Sequence, residues 1–123
     1  MRNVLLAVAL ACTALASPAL AQEDGLVHGP AVKWPDITRS ATAPAGFVPQ
    51  GWTVVTEVKG DLNGDKRDDV VLLLRDTDPR NVIKEETAEG GTYDTNPWMI
   101  VAGLADETGF RLALANHSLI WRP

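Results

Sequence analysis

The residues with the clearest potential for chemistry form one acidic stretch between residues 60 and 69. Calcium takes about six to eight oxygen ligands, and a tight loop supplies them from side chains at positions 1, 3, 5 and 9 and from the main-chain carbonyl at position 7. Counted from the first aspartate, the matching residues are Asp61, Asn63, Asp65, Arg67 through its carbonyl, and Asp69. All four side-chain positions carry the required oxygen. The spacing therefore predicts a calcium site.

This loop departs from the common calcium pattern at position 6, where the chain turns with positive φ and glycine is usual. Lys66 stands there, and a non-glycine residue in that conformation costs about 1–2 kcal/mol. Lys66 and Arg67 also bring two cations close to the three carboxylates. We therefore expect weak calcium affinity, with a Kd of roughly 10⁻⁴ to 10⁻³ M. The alternative is an acidic turn satisfied by its own hydrogen bonds.

The segments on either side of the loop predict strands. Residues 52–59 alternate, with Trp52, Val54, Thr56 and Val58 on one half-buried face. Residues 70–74 are continuously apolar, which suits a strand covered on both faces, although periodicity alone leaves a short buried helix open. Position 12 of the loop is Leu72, where an EF-hand needs a bidentate glutamate. The sequence thus predicts a calcium loop within a β-hairpin.

Residues 60–74 resemble the signature of FG-GAP and VCBS-type repeats, which occur in integrin propellers and in many exported bacterial proteins. Residues 47–52 and 95–97 also resemble segments of bacterial periplasmic proteins that carry such a loop. The resemblance implies a unit similar to a single propeller blade. It also implies that more β-structure usually follows, so we expect a shortened copy or a unit completed by something else.

The rest of the chain predicts a small antiparallel meander and an extended arm. Two further strands are predicted at residues 98–104 and 110–115, the latter with Phe110, Leu112 and Leu114 on one face. The polar segment between residues 76 and 97 is either a loop or a short helix, capped by Asp78 and running to Gly90. The fold class is mainly β, with a proline-rich arm at residues 22–50 and a domain at residues 51–123.

The first 21 residues are typical of a secretory signal. Arg2 precedes an apolar run over residues 4–15, and residues 17–21 form a small-x-small cleavage site. The run is shorter than the roughly 20 apolar residues of a membrane span. We expect cleavage near Ala21 and a periplasmic or secreted mature protein. Acylation at Cys12 is a less favoured alternative, because it leaves an apolar core of only about eight residues.

The net charge and the apolar pattern limit the kinds of partner that the protein can bind. Removal of residues 1–21 takes away one cation and changes the net charge from −5 to −6. This acidic balance argues against nucleic acid and against anionic membranes, since both attract basic surfaces. The apolar strand at residues 70–74 needs cover on its second face, from the arm, from a homodimer or other protein partner, or from a further repeat outside this chain.

These features favour an exported, non-enzymatic module with a structural or partner-binding role in the cell envelope. The alternative is a small periplasmic hydrolase acting on envelope glycans or peptides, which rests only on spare carboxylates and tryptophans. Neither His28 nor His117 lies near an acid and a nucleophile in the sequence. The tryptophans are expected to anchor a small core rather than to form a carbohydrate platform. They are Trp34, Trp52, Trp98 and Trp121.

Overall fold

The computed structural model describes residues 29–86 and 89–120. The predicted signal segment, His28 and Trp121 lie outside the described residues. In chain order the strands are β1 (Ser40–Ala41), β2 (Trp52–Gly60), β3 (Asp69–Asp76), β4 (Val82–Lys84), β5 (Thr92–Asp94), β6 (Trp98–Asp106) and β7 (Gly109–Asn116). The mainly β prediction is confirmed.

Five strands form one antiparallel sheet in the order β1-β7-β6-β3-β2, and β4 pairs with β5 in a separate hairpin. The hairpins β2–β3 and β6–β7 lie side by side, because β3 pairs with β6. This arrangement confirms the predicted antiparallel meander. Among the described residues, no helix has the length and apolar character needed to cross a membrane.

The core lies on one face of the sheet. Val70, Leu72 and Leu74 alternate along β3 and are each at most 1% exposed, which shows that the apolar run is a strand rather than a helix. Val71 and Leu73 point to the opposite face and are half-buried. The buried cluster comprises Phe47, Val70, Leu72, Leu74, Met99 and Val101.

The proline-rich arm covers this core face. A 3-10 turn at Pro44–Phe47 inserts Phe47, which is 1% exposed, into the core. Gly103 permits this approach, because a Cβ there would lie 2.7 Å from the Phe47 ring. Trp34, Ile37 and Val48 pack against the same cluster. β1 joins the sheet only as an edge strand beside β7, which is compatible with the predicted extended arm.

The predicted buried face of β2 is wrong because the strand contains a bulge. The register shifts between Val54 and Thr56, so that Val54 lies opposite Leu74 of the core face. Beyond the bulge, Thr56 and Val58 lie opposite the half-buried side chains of the other face. An inserted residue inverts the alternation that follows it. Val54 is 41% exposed and Val58 is 58% exposed.

The predicted apolar face of β7 is wrong for the same reason. The register with β6 shifts between Ala102 and Gly103, so that Leu112 lies opposite Gly103 whereas Leu114 lies opposite Ala102. Leu112 therefore packs against the core, and Leu114 is 42% exposed on the opposite face. A single-residue insertion divides what reads in the sequence as one apolar face.

The helix considered after Asp78 is wrong beyond its first turn. Asp78 accepts a hydrogen bond from the Arg80 backbone N–H at 2.9 Å, and proline occupies the first position, as predicted. However, the 3-10 turn spans only Pro79–Asn81, and the chain then enters β4. Val82 and Ile83 are β-branched, which favours an extended conformation over a helix.

Candidate metal site in the acidic loop

The acidic loop is the turn that joins β2 to β3. Residues 61–68 are exposed, whereas Asp69, the first residue of β3, is fully buried. Carboxylate oxygens of Asp61, Asp65 and Asp69 all lie within 4.8 Å of one another. Oxygens that share one cation at about 2.3–2.6 Å must lie this close together. These three of the predicted ligands could therefore hold a metal ion.

Asp61 organises the loop by accepting four backbone hydrogen bonds. Its Oδ1 accepts from the N–H groups of Asn63 at 3.2 Å, Gly64 at 2.8 Å and Asp65 at 3.2 Å. Its Oδ2 accepts from the Lys66 N–H at 2.8 Å. The Lys66 N–H contributes most to holding the pKa of Asp61 below its ordinary value, and the other three act in the same direction. The loop is thus folded around an ionised carboxylate.

The backbone takes the conformation expected at position 6 of a calcium loop. Lys66 has a φ of +65°, and it is the only non-glycine residue with positive φ among the described residues. Gly64, two residues earlier, has a φ of +79°. The left-handed conformation costs a side chain-bearing residue about 1–2 kcal/mol, so the loop holds its shape against local strain at Lys66.

Asp69 ties the loop to β6, the strand that neighbours β3 in the sheet. Its Oδ2 accepts from the Leu62 N–H at 2.7 Å, and its Oδ1 accepts from the Ala105 N–H of β6 at 2.8 Å. Each carboxylate oxygen has a second lone pair, so these bonds leave acceptor capacity for a cation. The sequence did not reveal this structural role, because Ala105 is 36 residues away and carries no distinctive side chain.

The two remaining predicted ligands lie within the same loop. Asn63 Oδ1 accepts from the Asp65 N–H at 3.3 Å, and Asp65 Oδ1 accepts from the Arg67 N–H at 2.9 Å. The Arg67 guanidinium lies 3.9 Å from the carboxylate of Glu107 in the β6–β7 turn. The positive charge of Arg67 is therefore partly directed at Glu107, which lies outside the cluster of three aspartates. Both partners are exposed, so this ion pair contributes about 0–1 kcal/mol.

A second polar cluster, which was not predicted, lies at the base of the β4–β5 hairpin. Asn81, Thr95 and Asn96 are buried there. Asn81 Nδ2 donates to Asn96 Oδ1 at 3.0 Å and to Asp76 Oδ2 at 3.2 Å, and Thr95 Oγ1 donates to the Asn81 carbonyl at 2.6 Å. Asp94 forms an ion pair with Arg75. Side chains of the protein itself thus satisfy the acceptors of this cluster.

Two of the described tryptophans serve packing rather than an exposed platform. Trp34 and Trp52 pack against the core with their ring centroids 6.0 Å apart. His117 stacks on Trp34 with a centroid separation of 4.0 Å. The Arg75 guanidinium lies 5.5 Å from the ring centroid of Trp98. These contacts agree with the core role expected for Trp34 and Trp52.

Comparison of the chain with protein-family models, with curated proteins and with solved structures finds no match in any of the three. The resemblance to FG-GAP and VCBS-type repeats therefore stays a prediction that rests on residues 60–74. Loop geometry alone supports a metal site.

Proposed function

We propose that this chain is an exported, non-enzymatic module in which calcium stabilises the β2–β3 hairpin, and that its role in the cell envelope is structural or partner-binding. The observation that carries the proposal is the convergence of Asp61, Asp65 and Asp69 within 4.8 Å, in a loop whose sixth position has positive φ. The proposal of export is supported by the signal-like residues 1–21, with cleavage expected near Ala21.

The donor set favours calcium over other cations. Carboxylate, amide and carbonyl oxygens suit hard cations, whereas nitrogen and sulfur ligands would favour zinc or copper. Magnesium demands near-octahedral geometry and retains its waters, so it is a poor fit to a loop that supplies many oxygens. The strained Lys66 and the neighbouring Arg67 reduce the affinity.

Charge repulsion links the ion to stability. In the absence of a cation, three carboxylates share one small volume, and their repulsion opposes closure of the hairpin. A cation that binds only the folded loop raises the free energy of unfolding by RT ln(1 + [L]/Kd), about 2.7 kcal/mol at a hundredfold excess over Kd. Stability should therefore increase with calcium concentration.

Thermal melts in millimolar calcium and in chelator test the proposal. We expect the wild type to melt at a higher temperature in calcium, Asp65→Ala to lose most of this response, and Lys66→Gly to increase it. Asp68→Ala is the matched control, because Asp68 is exposed and lies outside the cluster. Identical midpoints in calcium and in chelator, for the wild type and Lys66→Gly alike, would refute the calcium assignment.

The partner-binding part of the proposal is supported by the sheet face opposite Phe47. Apolar side chains from four strands lie on that face, and they range from half-buried to clearly exposed. They are Val58, Val71, Leu73, Ile100, Leu104 and Leu114. Continuous apolar surface of this kind is typical of interaction sites. An activity screen on envelope glycans and peptides separates this proposal from the alternative of a small hydrolase.

A further inference from the structure

Within residues 29–86 and 89–120, no strand pairs with the outer edge of β2, which is the long edge of the sheet. β2 has nine residues, and the residues from Thr53 to Lys59 are all exposed. The other edge strand, β1, has only two residues. Proteins usually protect sheet edges with short strands, bulges, proline, charged side chains or cover from other segments, because outward N–H and C=O groups can pair with another strand. β2 has a bulge, but its regular segment from Thr56 to Gly60 lacks proline.

Two opposite charges lie on one face of this regular segment. Glu57 lies opposite Leu72 and Lys59 lies opposite Val70, so both side chains share a face. Both are exposed, and neither takes part in an ion pair among the described residues. Val58, between them, points to the other face and is 58% exposed.

Antiparallel pairing of β2 with itself allows few registers. The outward backbone groups of an edge strand belong to alternate residues, so a two-fold pairing must be centred on a residue rather than between two residues. Centring on Glu57 or on Lys59 places two like charges directly opposite each other, which is destabilising. Centring on Val58 places each Glu57 opposite a Lys59 of the other copy.

We propose that β2 pairs with β2 of a second copy of this chain, antiparallel and centred on Val58. The register uses the bulge-free segment from Thr56 to Gly60 and forms two Glu57–Lys59 pairs on one face. On the other face, the two Val58 side chains meet and join the apolar surfaces of the two sheets. The proposal is independent of calcium binding.

The paired segment is short, so the dimer should be weak. Stable interfaces bury about 800 Å² per partner, and five residues of one strand contribute less than that. We therefore expect a reversible monomer–dimer equilibrium that dissociates on dilution through the micromolar range. Sedimentation velocity of the exported protein over a wide concentration range measures it.

Charge reversal tests the partner and the register together. Glu57→Lys and Lys59→Glu should each weaken the dimer by about tenfold or more, because every register centred on residues 57–59 then opposes like charges. An equimolar mixture of the two variants should restore association. The double variant, Glu57→Lys with Lys59→Glu, should restore the homodimer, since it regains opposite charges in the register centred on Val58.

Disulfide trapping provides a second measure of the register. Under oxidising conditions Val58→Cys should give a covalent dimer, because Cβ atoms of opposite residues lie about 4.5–5.5 Å apart and a small shift at the sheet edge brings them to the roughly 3.5–4.5 Å of a disulfide. Thr56→Cys is the matched control. It should not cross-link, since Thr56 of each copy lies opposite Gly60 of the other copy in this register. A wild type that stays monomeric up to about 1 mM, or a dimer that both single reversals leave intact, would overturn the proposal. Far-UV circular dichroism should show that all variants fold.

Discussion

The acidic loop and the segments at the base of the β4–β5 hairpin each contain several aspartates, but the two regions satisfy these carboxylates differently. In the loop, Asp61 accepts only backbone N–H groups, and its carboxylate lies close to those of Asp65 and Asp69. In the hairpin region, the carboxylate of Asp94 is paired with Arg75 and accepts from Asn96. The loop brings three carboxylates together, whereas in the hairpin region the carboxylate of Asp94 is paired with a guanidinium.

This difference indicates which region should respond to a cation. A carboxylate that is already paired with a guanidinium gains little from an added cation, because its negative charge is already compensated. Three carboxylates that share one volume gain more, since a cation removes their mutual repulsion. Asp69 belongs to the loop cluster but is also a buried structural acceptor. Variants can therefore separate structural support from ion binding.

The largest expected effect is that of Asp69→Ala. The substitution removes the acceptor of the Leu62 and Ala105 N–H groups at a fully buried position, so we expect a loss of about 3–5 kcal/mol in the free energy of unfolding. Chemical denaturation in chelator measures it without a contribution from calcium.

Two further variants keep this prediction testable. Asp69→Asn retains one acceptor and the side-chain shape, and should cost less than Asp69→Ala. Asp68→Ala, at the exposed neighbouring position, should change stability by no more than about 0.5 kcal/mol. Equal losses at positions 68 and 69 would contradict the structural role of Asp69.

An intermediate effect is expected from Asn81→Ala. The substitution removes the donor to Asn96 Oδ1 and Asp76 Oδ2 at a position that is 6% exposed, which should cost about 1–3 kcal/mol. The calcium-induced rise in melting temperature should be unchanged, because Asn81 lies outside the loop. Lys84→Ala, an exposed substitution in the same hairpin, serves as the control. A reduced calcium response in Asn81→Ala would show that the two regions are coupled.

The sequence was informative wherever the pattern is local. Strong alternation or continuous apolar character located β2, β3, β6 and β7 to within about two residues, and the loop spacing identified the position of Lys66 with its positive φ. Turn chemistry also gave the cap at Asp78. In each case neighbouring residues determine the conformation.

Prediction from the sequence was wrong or incomplete where contacts between distant segments determine the conformation. The bulges in β2 and β7 depend on how each strand registers with its neighbour, so the side-chain alternation predicted faces that the structure divides. The short β1 strand forms only because β7 offers it an edge. The burial of Asp69 depends on an N–H from β6, and the polar cluster around Asn81 joins segments 15 residues apart. No local pattern encodes these contacts.

The smallest expected effect concerns acid and the hairpin aspartate Asp94. Its pKa is held below the ordinary value chiefly by the Asn96 backbone N–H, with further contributions from the Asn96 side chain and Arg75. In the unfolded chain the carboxyl takes up a proton near its ordinary pKa of about 3.9, whereas in the folded protein it stays ionised to lower pH. This contribution to stability is therefore present above that value and is lost as the pH falls through the folded pKa.

Denaturation in chelator should show that Asp94→Asn is less stable than the wild type at pH 7 and that the difference narrows below about pH 4. Asp68→Asn controls for the loss of one negative charge, and a difference for Asp94→Asn that stays constant down to about pH 2 would show that its charge contributes nothing to stability.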